Sequence, residues 1–156
     1  MAILPIVTHP DARLRAVCAP LGAVDEGVRR LAADMLETMY AAPGRGLAAP
    51  QVGVLRRLFV MDPGWKDGVP EPLVCIDPEI ADPSSETATR TEGCLSIPDH
   101  PVAVTRPAEV TLRWTGLDGV RQERRLTGLA ATVAQHEADH LDGRLILDHA
   151  PPAAAP

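Results

Sequence analysis

The chain has 156 residues, 46% of them hydrophobic and 23% charged, with a net charge of −6. That is the size and make-up of one globular domain with a substantial core. The acidic balance points away from nucleic acid and anionic membranes as partners, and no run approaches the ~18 apolar residues of a membrane span.

Three cysteines (Cys18, Cys75 and Cys94) are an odd number in a mid-sized chain, so a reducing, cytoplasmic setting is expected rather than a disulfide framework. The start, Met1-Ala2-Ile3-Leu4-Pro5, lacks the charged and apolar regions of a signal peptide. In chain order, Asp25 caps an amphipathic helix running to about Ala42, with Val28, Leu31, Met35 and Met39 on its apolar face and Pro43-Gly44 as its stop. Residues 44–53 are too rich in small side chains to be read as strand or helix. Leu58 to Met61 and Leu73 to Ile76 are short apolar runs bounded by Pro, Gly and Asp, hence strands. Val110, Leu112 and Trp114 alternate with polar residues from Glu109 to Trp114, and Asp118-Gly119 turns that strand back into Val120 to Leu126. Thr127 then caps a second helix, from about Gly128 to Leu141, with Gly143 as its stop. The order predicts an α+β fold of mostly antiparallel sheet around that second helix. Residues 1–149 are expected to form one domain, followed by a flexible Pro/Ala-rich tail over 150–156.

The second helix carries the pentad His136-Glu137-Ala138-Asp139-His140. Histidines four apart lie one above the other on a helix face, their Cβ atoms roughly 5–6 Å apart, a spacing that suits two imidazoles on one divalent metal. Leu129 and Val133 share their stripe, so both rings are expected to point inwards, where a metal would satisfy them. Glu137 stands where it can deprotonate an activated water. A catalytic site of this kind needs a third protein ligand. Cys18, Cys75, Cys94, His9, His100, His149 and several carboxylates are candidates. Cys75 reads as core, and Cys94 sits in a tight Glu92-Gly93-Cys94-Leu95-Ser96 segment before Pro98; spacing favours Cys94 without settling it.

Residues 44–51, 92–96 and 135–140 together resemble the three signature motifs of the peptide deformylases, in the family's order. The resemblance runs from about Leu4 to His149. It implies removal of the N-formyl group from the formyl-methionine of new polypeptides, with release of formate. It implies that Cys94, His136 and His140 bind one divalent metal and that Glu137 is the acid/base. The Gln51 amide and the Leu95 backbone N–H would steady the oxyanion, and Gly46 would hydrogen-bond the substrate backbone. The family's metal is typically Fe2+, replaceable by Ni2+, Co2+ or, with less activity, Zn2+. Zinc in a thiolate site tends to stay tetrahedral, whereas attack on a formamide favours an ion that expands its coordination. Glu92 is expected to pair with Arg106 behind Cys94, and Asp139 to hold a nearby N–H.

The chain also departs from the family pattern. Arg45 and Arg90 replace apolar residues beside the pocket that receives the methionine side chain, Thr132 replaces another, and Pro101 stands where many members have an arginine. A substrate pocket that tolerates or prefers a polar or acidic first side chain is the expectation. The basic C-terminal helix that docks many bacterial members on the ribosome has no counterpart in this sequence, whose single lysine is Lys66, so docking by that route is not expected. Formylated peptides or nascent chains are the expected partners. The alternatives are a related hydrolase of another N-acylated substrate, a catalytically idle binding protein of the same fold, and a general endopeptidase built on the pentad alone.

Overall fold

The structure, a computed structural model, describes residues 2–149, so the expected tail lies outside the described residues. Among the described residues, two α-helices and seven strands make up the fold: α1 (Glu26–Ala41), β1 (Gly46–Ala48), β2 (Leu58–Met61), β3 (Leu73–Ala81), β4 (Thr87–Cys94), β5 (Ile97–Pro107), β6 (Glu109–Thr115), β7 (Arg121–Thr127) and α2 (Gly128–Leu141). Strands β1-β2-β3-β6-β7 form one sheet in that order, and β4-β5 form a separate hairpin; every pairing is antiparallel.

Strand β2 is apolar along its whole length because both of its faces are covered. Leu58 and Val60 pack with Val28, Met35 and Met39 of α1. Phe59 and Met61 pack the other way, with Leu112, Trp114 and the α2 residues Ala131, Ala134 and Leu141. Helix α2 therefore lies across the face of the sheet opposite α1. A third cluster joins Cys94, Ile97, Val102 and Val104 of the hairpin to Leu14 and to Leu145 and Ile146.

The two helices begin and end where the cap residues predict. Asp25 accepts the Val28 N–H at 2.9 Å, and Gly143 stops α2 in the left-handed region at φ 72°. Four local expectations need correction. Residues 44–53 contain strand β1 and a 3-10 turn over Ala49–Val52; pairing with β2 makes that strand, although its small residues carry little intrinsic preference for one. Strand β3 runs on to Ala81 past a bulge at Asp77-Pro78. Thr127 occupies the cap position of α2, but its side chain makes no capping hydrogen bond. The β4-β5 hairpin was not anticipated. Most of β4 is solvated, and β5 contains Pro98 and Pro101, which argue against a strand unless it lies at an edge.

Candidate active site

The site forms where the end of β4 meets α2. The helical repeat puts the His136 and His140 Nε2 atoms 3.2 Å apart, and the β4-β5 turn brings Cys94 Sγ to 3.4 Å from His140 Nε2. The three donor atoms lie within 4.8 Å of one another, and all three residues are buried. Cys18 and Cys75 sit apart from this group, in the core beneath α2.

The donor set fits a divalent cation. Two nitrogens about 2.0–2.1 Å from one tetrahedral ion are about 3.3 Å apart, close to the separation seen here. Two facing ring nitrogens beside a thiol are otherwise left to share a proton. Burial alone would lower the His136 pKa, but the Glu137 charge and hydrogen bonds with Cys94 and Glu92 outweigh it and raise it to about 10. Burial and the neighbouring His136 charge push His140 well down. A divalent ion held by these three residues would take the place of a proton on the ligand atoms, so its binding would be favoured as the pH rises.

Glu137 follows His136 and turns its carboxylate into the same space, with Oε2 4.0 Å from His136 Nε2 and Oε1 buried without a partner. Burial raises its pKa to about 7, against the opposing charge of His136. A carboxyl poised there can take a proton and return it near neutral pH. Gly46 leaves the room it needs, since a Cβ at that position would lie 2.5 Å from Glu137 Oε2. Gln51 is held at both ends. Its Oε1 accepts the Ala48 N–H at 2.9 Å, while its Nε2 donates to Ser96 Oγ at 3.0 Å and points at Cys94 Sγ from 3.7 Å.

Behind the donors runs a buried ionic chain. Arg106 grips both Glu92 oxygens at 2.8 and 3.0 Å and donates to Asp139 at 2.9 Å; Glu92 meets His136 Nδ1 at 2.9 Å. His149 Nε2 closes on Asp139 at 2.9 Å. Burial alone would raise the Glu92 carboxyl, but the His136 and Arg106 hydrogen bonds hold it at about 2. The expected Glu92–Arg106 pair is therefore present, and Asp139 accepts from a histidine, His149.

A cleft of about 400 Å³ opens onto Cys94, His136 and Glu137. It brings Arg45, Gly46, Gln51, Arg90 and Leu95 to the same space, while His140 lies behind, almost wholly buried. Two residues that shape the site carried no clear signal in the chain. Ser96 anchors the Gln51 amide, and only its place at the end of the 92–96 segment hints at it. Trp65 donates its Nε1–H to the Gly44 carbonyl at 2.8 Å and stands edge-on to Tyr40, bracing the start of the first motif and placing Lys66 on the cleft wall.

Comparison with known proteins places the whole chain in one family. The polypeptide deformylase family model matches residues 3–155. A peptide deformylase from Rhizorhabdus wittichii is 50% identical over 154 residues, covering 96% of this chain and 87% of the relative. One from Alkalilimnicola ehrlichii is 51% identical over 149 residues, covering 96% and 83%. Among solved structures, the peptide deformylase from Thermotoga maritima superposes with a TM-score of 0.91 at 39% identity, over 97% of this chain and 100% of its own. That from Synechococcus elongatus, in complex with actinonin, gives 0.92 at 37% identity, over 96% and 82%.

Proposed function

The chain belongs to the peptide deformylase family and removes the N-formyl group of nascent polypeptides; from that premise we propose how its own residues do so. Cys94, His136 and His140 hold one divalent metal, which we assign as Fe2+, with Zn2+, Ni2+ or Co2+ able to replace it. When bound, the ion supplies a Lewis acid that acidifies water and polarises a carbonyl. Glu137 takes a proton from the attacking water as its oxygen bonds to the formyl carbon. The Gln51 amide and the Leu95 N–H donate to the oxygen on which charge develops. As the C–N bond breaks, Glu137 passes its proton to the leaving amine, so formate and a free N-terminus result. Gly46 offers its backbone to the peptide, and Arg45 and Arg90 flank the substrate side chains.

The observation that carries this reading is the meeting of three buried donor atoms with the Glu137 carboxyl at the floor of one open cleft. On this reading residues 1–149 act as one catalytic unit in the cytoplasm, a setting that three free thiols support. Among the described residues, no helix is long and apolar enough to cross a membrane.

The test is formate release from formyl-Met-Ala-Ser by protein purified anaerobically with each metal in turn. We expect Fe2+ to give the fastest turnover. Glu137→Gln should lower kcat by about 10²–10⁴-fold while metal content stays at one ion per chain. Undiminished turnover in that variant would remove Glu137 from the proton-transfer role.

A further inference from the structure

In a chain of net charge −6, the wall of the cleft beyond Glu137 is cationic: Arg45, Lys66 and Arg90 all line it. Among the described residues the exposed Arg30 and Arg56 also make no ion pair, but other arginines are neutralised at close range, as Arg57, Arg113 and Arg124 are by carboxylates within 2.9 Å. The cleft cations are not. Lys66 and Arg90 make no ion pair among the described residues. The nearest carboxylate to Arg45 is the largely exposed Asp67 at 3.9 Å. The Arg45 Nε is buried and has no hydrogen-bond partner. Three acids line the same space: Glu92 is committed to Arg106 and His136, Glu137 faces the donor atoms, and the exposed Asp99 makes no ion pair with Arg45, Lys66 or Arg90. Thr132 adds a hydroxyl to the α2 side of the cleft.

A wall with this much unmatched positive charge and an unfilled donor suits an anion. Resting on the hydrolytic function proposed above, we propose that this cleft selects formylated peptides that carry a carboxylate on the formylated residue or the one after it, received by Arg45 and Arg90 with Lys66 adding to the field. The competing use of the arginines is apolar: their stems would line the pocket for methionine and their heads would lie in water, giving no preference for charge.

Two matched pairs of substrates decide between them: formyl-Glu-Ala-Ser against formyl-Gln-Ala-Ser, and formyl-Met-Glu-Ser against formyl-Met-Gln-Ser. In each pair only the charge differs. The expected result is kcat/KM about five- to tenfold higher for the glutamate member of one pair at low salt, which also identifies the position of the carboxylate. The ratio should fall towards one when added salt shortens the screening length below ~10 Å. It should also fall in Arg45→Gln and Arg90→Gln. Hydrolysis of all four peptides with equal kcat/KM within each pair would overturn this inference and leave the deformylase function standing. Release from none of them by the metal-loaded protein would overturn both.

Discussion

The five-stranded sheet and the two-stranded hairpin divide the work of this molecule unequally. The sheet holds the apolar mass, with Phe59, Leu112 and Trp114 fully enclosed between layers. The hairpin buries few side chains, yet those it buries include Glu92, Cys94 and Arg106, three of the polar groups that build the site. Stability thus resides mainly in one element and chemistry in another, and the two meet along α2 and at Gln51, which reaches from the end of β1 to Ser96 and Cys94. The hairpin that carries the site is held by ionic contacts to α2 as well as by the apolar cluster of Ile97, Val102 and Val104 with Leu14, Leu145 and Ile146. The contrast predicts that hairpin substitutions disturb metal and pH behaviour, whereas substitutions in the core of the sheet disturb stability alone.

Arg106→Met should have the largest effect, because it strands Glu92 and Asp139 without their shared cation. Breaking a buried pair of this kind costs about 3–5 kcal/mol, and loss of support behind a ligand histidine lowers metal affinity about 10–100-fold. Denaturant unfolding and metal titration would measure both; a variant with ordinary metal affinity would break the contrast. Leu112→Ala in the sheet should lower stability by about 2–5 kcal/mol through the cavity it leaves, with kcat/KM of the folded protein unchanged. A matching fall in kcat/KM would show that the sheet also tunes the site.

Gly46→Ala sharpens the contrast from inside the sheet, since Gly46 of β1 lies against the Glu137 carboxyl. The added Cβ must push Glu137 aside, and we expect about a 100-fold loss in kcat with the fold intact by circular dichroism. Acid titration probes the hairpin by another route. The Glu92 carboxyl is held at about 2 against an ordinary 4.5, so its ionised form is favoured by folding. Its contribution is complete above pH 4.5 and is lost as the pH falls towards 2. The parent protein should therefore lose stability over that window more steeply than Glu92→Gln; identical acid-unfolding curves would deny the pair its role. The smallest effect belongs to the sheet surface. Arg113→Ala, which removes a solvated pair with Glu123 at 2.8 Å, should change stability by less than about 1 kcal/mol.

Much of the helix-borne half of the site was legible in the chain, because the relation between His136, Glu137 and His140 is local. Four residues along a helix bring two side chains to one face wherever that helix is placed, and Leu129 and Val133 on the same stripe marked that face as inward. Cys94 was different. Local spacing left it one of several possible partners, and only the combination of three motifs singled it out. The Glu92–Arg106 bridge joins residues fourteen apart across a hairpin whose strands have little apolar periodicity and three prolines, so its geometry could not be read from local pattern. The glycine-rich first motif hid a strand for a related reason: its extended form comes from the ladder with β2, not from the residues themselves.

What the sequence determined by itself was therefore what depends on near neighbours. That comprises the two helices, the Asp25 cap of the first, the β6-β7 turn at Asp118-Gly119, the apolar strand β2 and the helical register of the two histidines. Tertiary structure alone decided the rest. It placed Cys94 within 3.4 Å of His140, enclosed Glu137 so that its pKa rises to about 7, and stretched Gln51 between Ala48 and Ser96. It also gathered Arg45, Lys66 and Arg90, far apart in the chain, onto one cleft. Desolvation, ligand geometry and unmatched charge are properties of what surrounds a group in space, and that environment exists only once the hairpin has closed on α2.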